Sequence, residues 1–184
     1  MDVHDLTFHF SGVIRYIVLS IRPITWEWLL IAVLVGAVVA AVIRRKEVWG
    51  FFLSTYILLL LLSTVILRGN SREPVPLILE PFWSYRAWIT GVRPSLLYEV
   101  LANILMTIPV GICVSGIVER RKLLWAVGST VVLEIVIEAF QLILHRGLCE
   151  TDDVISGVMG ALIGYGIWQL GAVTLRGYRS RAKN

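Results

Sequence analysis

Charge is scarce in this chain of 184 residues: Asp, Glu, Lys and Arg together make up 16%, hydrophobic residues 57%, and the mean hydropathy is +0.78. That balance excludes an ordinary soluble domain, in which roughly a quarter of residues are charged, and puts the chain in a membrane. The cationic surplus is only +4 and is not gathered on one soluble face, so nucleic acid is not expected as a partner. There are two cysteines, Cys113 in an apolar run and Cys149 in a short connection, with no C-x-x-C spacing. Neither a disulfide framework nor a zinc site is implied. The three histidines form no H-x-x-x-H or H-E-x-x-H pattern, so no metal and no cofactor is expected. A G-x-S-x-G elbow and a glycine-rich phosphate loop are both missing, as is any internal repeat. Those absences weaken the serine-hydrolase, nucleotide-loop and transporter readings in turn.

What the chain does have is long apolar runs. Four reach the length of about 20 residues that a helix needs to cross the hydrocarbon: Trp26 to Ile43, Val48 to Leu67, Leu123 to Leu144 and Val154 to Val173. A fifth, Leu96 to Val118, carries Glu99, Asn103 and Thr107 and contains Pro109, a pattern that a span with a local kink tolerates. Phe8 to Ile21 is shorter, holds Arg15, and reads as a helix lying in the interface. A cleaved signal peptide fits poorly, because Asp2 and Asp5 stand where a basic start belongs. The expected fold is an all-α membrane bundle of about five transmembrane helices plus the N-terminal interfacial helix, a single domain over residues 1–184.

Basic residues set the expected orientation, because Lys and Arg gather in cytoplasmic segments. Arg44, Arg45, Lys46, Arg120, Arg121, Lys122, Arg176, Arg179, Arg181 and Lys183 fall on one side in dense clusters. Arg15, Arg22, Arg68, Arg72, Arg86, Arg93 and Arg146 are scattered through longer segments on the other. The expected placement is a multi-pass cell-membrane protein with an extracytoplasmic N-terminus and a cytoplasmic C-terminus. The one long connection, Arg68 to Ser95, is rich in proline and in aromatic residues (Phe82, Trp83, Tyr85 and Trp88). It reads as an ordered extracytoplasmic flap, either an interfacial aromatic belt or a lid over a substrate.

Inside this apolar frame, Glu134, Glu138, Gln141 and His145 recur on one helical stripe, and Glu99, Asn103 and Thr107 on another. Carboxylates facing lipid are costly, so such groups normally face protein or a watery cavity. In the expected topology Glu99, Asn103, Glu138, Gln141, His145, Arg146, Asp152 and Asp153 all lie within about 10 to 12 Å of the outer surface, at about 1.5 Å rise per residue. Ser156, Gly160 and Gly164 give the last span a small-residue face that lets a neighbour approach and present Asp152 and Asp153 to the Glu138 stripe. Plainer roles compete. Asp152 or Asp153 suits a helix N-cap, Glu138 and Arg146 suit a structural ion pair, and His145 suits the interface.

The strings N103-I-L-M-T-I-P109-V-G111, E138-A-F-Q141, and R146 followed by T151-D152-D153-V-I-S-G157-V-M-G160-A-L-I-G164-Y resemble the VanZ-like family of small bacterial membrane proteins. The likeness spans roughly residues 97–170. Carried residue by residue, it implies site positions at Asn103, Pro109, Gly111, Glu138, Gln141, Arg146, Asp152 or Asp153, Gly160 and Gly164. The family often has asparagine where this chain has Gly157, which removes one donor and one acceptor from the implied site. The resemblance further implies a link to resistance against glycopeptide antibiotics, particularly lipid-tailed teicoplanin.

Two functions follow. In the first, a polar pocket opening on the outer leaflet binds an amphiphile through Asn103, Glu138, Gln141, Arg146, Asp152 and Asp153, with membrane lipids, a lipid-tailed glycopeptide or a lipid-linked cell-wall precursor as partners. In the second, Glu138, Asp152 and Asp153 serve an intramembrane acid/base enzyme acting on a lipid-linked substrate.

Overall fold

The computed structural model describes residues 12–15, 17–19, 21–43, 47–69 and 77–181. The helices are α1 (Trp26–Ile43), α2 (Glu47–Leu61), α3 (Trp83–Ile89), α4 (Leu96–Ile117), α5 (Lys122–Ile143) and α6 (Thr151–Arg181). Two short strands, β1 (Leu77–Ile78) and β2 (Cys149–Glu150), pair in parallel with Leu77 opposite Cys149 and Ile78 opposite Glu150. The all-α bundle expected from the apolar runs is what forms.

Among the described residues four helical stretches are long and apolar enough to cross a membrane: Val48–Ile66, Leu96–Ile117, Lys122–Ile143 and Thr151–Thr174. The helix of the first apolar run is formed too, and its part Trp26–Val39 is apolar but shorter. Of the Phe8 to Ile21 segment, residues 12–15 and 17–19 are helical, while Phe8 to Ser11 lie outside the described residues. Pro109 is carried within the continuous α4.

α4 is the hub, touching α2, α3, α5 and α6, with its broadest contact on α6. Close approach explains that contact. A Cβ built on Gly160 would run into the carbonyl oxygen of Ile104 and the hydroxyl of Thr107, and one on Gly164 into the carbonyl oxygen of Ile108. Only small residues let the two backbones meet there. Val110, Val114 and Ala126 form one buried cluster against Tyr56, Leu133 and Tyr165, while Leu60, Val65 and Ile137 form another against Met106 and Leu133. The outward faces leave Leu105, Val132, Ile135, Leu162, Ile163, Ile167 and Leu170 exposed. A continuous apolar belt of that kind belongs against lipid.

The two ends of the bundle differ. At one, the Lys122 ammonium donates to the carbonyl oxygens of Ser115 (2.6 Å) and Val118 and lies 4.1 Å from the centroid of Trp168. At the other, α2 widens into a π-helical turn, Leu62–Ile66, of the sort that often marks functional positions. The polar groups collect at this second end.

Candidate functional site

α4 and α6 begin, and α5 finishes, beside the π-turn of α2. A cavity of about 370 Å³ lies there, lined by polar Ser63, Thr64, Arg68, Glu99, Asn103, Glu134, Gln141, Glu150 and Asp153. Leu60, Leu67, Met106, Ile137 and Leu148 supply apolar lining, and Leu19 and Pro23 from the N-terminal segment also border it. That volume and mixture suit a small-molecule site.

The helical stripe of α5 is real. Glu134, Glu138 and Gln141 are all buried on one face, four and three residues apart. Glu134 is accommodated by Gly157, whose missing side chain leaves room: a Cβ there would lie 2.8 Å from Glu134 Cγ. A side chain at position 157 would compete with Glu134 for the same space. Glu138 accepts the Glu150 backbone N–H through Oε2 at 2.9 Å. Its carboxyl is also within hydrogen-bonding reach of the carboxyl of Asp153, which donates only when it carries a proton. Asn103 joins the group from α4, donating from Nδ2 to Asp153 Oδ1 at 2.6 Å. Three successive helices therefore meet through Asn103, Glu138 and Asp153.

The remaining sequence candidates take other posts. Asp152, 2% exposed, does not line the cavity. Its two carboxylate oxygens accept the backbone N–H groups of Phe82 (2.6 Å) and Ser84 (2.7 Å), so it caps the start of α3 across the chain rather than its own helix. The Arg146 guanidinium makes no ion pair with Glu138 among the described residues. It donates to the carbonyl oxygens of Val65 (3.4 Å), Ile66 and Arg68 (2.7 Å), closing the end of the π-turn. Gln141 Nε2 donates to Thr64 O at 3.2 Å, also on that turn. His145 sits past the end of α5, exposed and with φ of 54°. Thr107 returns its hydroxyl to the carbonyls of Asn103 and Ile104.

Glu150, Arg68 and the Ser63–Thr64 pair were not singled out from the sequence. Glu150 is 6% exposed and accepts the Ser84 hydroxyl at 2.9 Å. Burial pushes its carboxyl above the usual range, the nearby Asp152 adds to that, and the Ser84 hydroxyl and the Arg93 and Arg68 guanidiniums oppose it. Burial, reinforced by the carboxyls of Glu138, Asp153 and Glu150, also pushes the Cys149 thiol up to about 11. Two cues were available: Glu150 extends the acidic run at Asp152–Asp153, and Ser63–Thr64 is a polar pair in an apolar span.

The aromatic connection is ordered where it is described. Besides the Asp152 and Glu150 bonds to Ser84, the Tyr85 hydroxyl bonds the Ser156 hydroxyl at 2.8 Å. No group of three or more His, Cys, Asp or Glu side chains among the described residues is arranged to hold a metal ion.

Neither the curated proteins nor the solved structures compared with this chain gave a match. The VanZ/LLP1 family model matches residues 48–172, which takes in nearly all of α2, the connection, α4, α5 and most of α6. The chain belongs to the VanZ/LLP1 family.

Proposed function

We propose that this protein serves the bacterial cell envelope, in the manner of glycopeptide-resistance factors, by taking the polar head of an amphiphile into the cavity between α2, α4, α5 and α6. The carrying observation is the lining itself. Hydrogen-bonding groups from α4, α5, α6 and the π-turn line it, and Leu60, Leu67, Met106, Ile137 and Leu148 offer a surface for an acyl chain. The clusters of Lys and Arg argue that the opposite end is cytoplasmic, which opens the cavity toward the outer leaflet. Lipid-tailed glycopeptides and lipid-linked cell-wall precursors both present polar heads at that level. Membership in the VanZ/LLP1 family supports the resistance link.

The test compares strains expressing the chain at matched levels. Tolerance to a lipid-tailed glycopeptide is expected to rise on expression and to return to the empty-vector level with Asn103→Ala or Asp153→Ala. Unchanged tolerance in both variants would refute the assignment.

One observation favours a second reading. Glu138 and Asp153 bring two carboxyls into hydrogen-bonding reach, an arrangement from which acid/base pairs acquire separate roles. Glu138→Gln keeps shape and hydrogen bonding but cannot cycle a proton. Full tolerance in that variant excludes general acid/base work by Glu138, whereas collapse with intact ligand capture supports it.

A further inference from the structure

The cavity wall is rich in acceptors whose donors are already committed elsewhere. The hydroxyls of Ser63 and Thr64 both donate to the Leu60 carbonyl, at 2.9 and 2.8 Å. The Asn103 amide donates to Asp153. Gln141 must turn its nitrogen toward the Thr64 carbonyl, because a carbonyl can only accept, and this fixes its oxygen as the free end. That oxygen, Gln141 Oε1, is buried in a residue only 2% exposed and meets no donor among the described residues. Glu150 Oε1, in a residue 6% exposed, is in the same state. Both residues line the cavity, and a buried acceptor without a donor is an energetic defect unless something fills it. Charge points the same way. Among the described lining residues, Glu99, Glu134, Glu150 and Asp153 stand against one cation, Arg68, whose guanidinium packs at Gly147.

We propose that the polar head held by this cavity carries a primary ammonium group, with Gln141 Oε1 and Glu150 Oε1 as its acceptors and the surrounding carboxylates as its counter-charge. The inference rests on the amphiphile-binding reading above and names its ligand class. An ammonium supplies three N–H donors and a positive charge. A hydroxyl head supplies donors without charge, a quaternary ammonium charge without donors, and a phosphate or carboxylate neither. The group can arrive on an aminophospholipid from the bilayer or on a soluble amphiphilic amine from outside.

The experiment uses the full chain in phosphatidylcholine nanodiscs, followed by native mass spectrometry after ejection with bound lipid. In one arm, phosphatidylethanolamine, phosphatidylglycerol and phosphatidylcholine with identical acyl chains compete at equal abundance. In the other, dodecylammonium, dodecyltrimethylammonium and dodecyl glucoside are titrated from solution. At least tenfold preference for the primary ammonium in either arm is expected, and the arm in which it occurs identifies the source. Glu150→Gln and, independently of any folding defect there, Glu99→Gln are expected to reduce that preference at least threefold. Equal or better retention of the glycerol or glucoside head, lost on Asp153→Ala, overturns the ammonium assignment and leaves amphiphile capture standing. Equal retention of the quaternary head overturns the donor argument. No retention of any probe overturns both readings.

Discussion

Replacing Asp152 tests how the aromatic connection is anchored to α6. Its carboxylate accepts two backbone N–H groups, at 2.6 and 2.7 Å, in a position 2% exposed. Hydrogen bonds to a charged group contribute about 1.5–3 kcal/mol each, and a buried donor left unpaired loses most of that. Asp152→Ala orphans the amides of Phe82 and Ser84 together, a local loss of about 3–6 kcal/mol by that figure before water relieves part of it. Asp152→Asn retains one oxygen and sets an NH2 against the second N–H, so about half the loss follows. Hydrogen exchange reads this directly, because about 1.4 kcal/mol is a tenfold change in an equilibrium. With half the larger loss recovered by solvent, protection of the 82–89 amides falls by about a hundredfold in Asp152→Ala on that conversion. The helix interiors of α4 and α5 keep theirs. Unchanged protection at Phe82 and Ser84 would refute the claim that Asp152 anchors α3.

Gly160→Val forces a branched side chain into the Ile104 carbonyl and Thr107 hydroxyl. Overpacking of that kind costs about 1–3 kcal/mol, and thermal unfolding followed by dye labelling of the buried Cys113 is expected to shift down. Gly166→Val, where a Cβ meets nothing within 4 Å, is expected to leave the transition nearly unmoved. Arg146→Ala leaves three carbonyl oxygens at the end of the π-turn without their guanidinium. A loss of about 2–3 kcal/mol in the same assay is expected, and Arg146→Lys, which lacks the planar fork, should restore only part of it. The Cys149 thiol, pushed up to about 11, stays protonated through neutral pH. Because the thiolate is the reactive form, site-resolved alkylation should rise about tenfold per pH unit and still be rising at pH 10. A plateau near pH 9 would contradict the environment described.

Apolar run length made the helices legible: Leu96 to Val118 differs from α4 by one residue at its end, and Leu123 to Leu144 from α5 by one residue at each end. Spacings of four and three residues made Glu134, Glu138 and Gln141 legible as one buried face, and the glycine pattern pointed to the contact that α6 makes with α4. Partner choice was not legible. Nothing in the spacing of Asp152 and Asp153 says that one turns to the start of α3 and its neighbour to Asn103, because adjacent helical residues diverge by about 100° and only tertiary packing decides what each meets. Arg146 was grouped with the carboxylates by depth and charge. The π-turn offers it free carbonyls instead, and a local widening of α2 leaves no periodic mark in Val48 to Leu67. Glu150 escaped notice because it lies in the turn between two spans rather than on a helical stripe.

Covalent mapping reaches the central claim most directly. A photoreactive group placed beside the head of a dodecyl amphiphile is irradiated with the full chain in nanodiscs, and the labelled residues are read by peptide sequencing. The account predicts labels confined to the cavity-lining residues of Leu60 to Gly69, Glu99 to Met106, Glu134, Ile137, Gln141 and Leu148 to Asp153, all suppressed by excess unlabelled amphiphile. Labels spread over the lipid-facing residues Val132, Ile135, Leu162 and Ile167, with no competition, would contradict it.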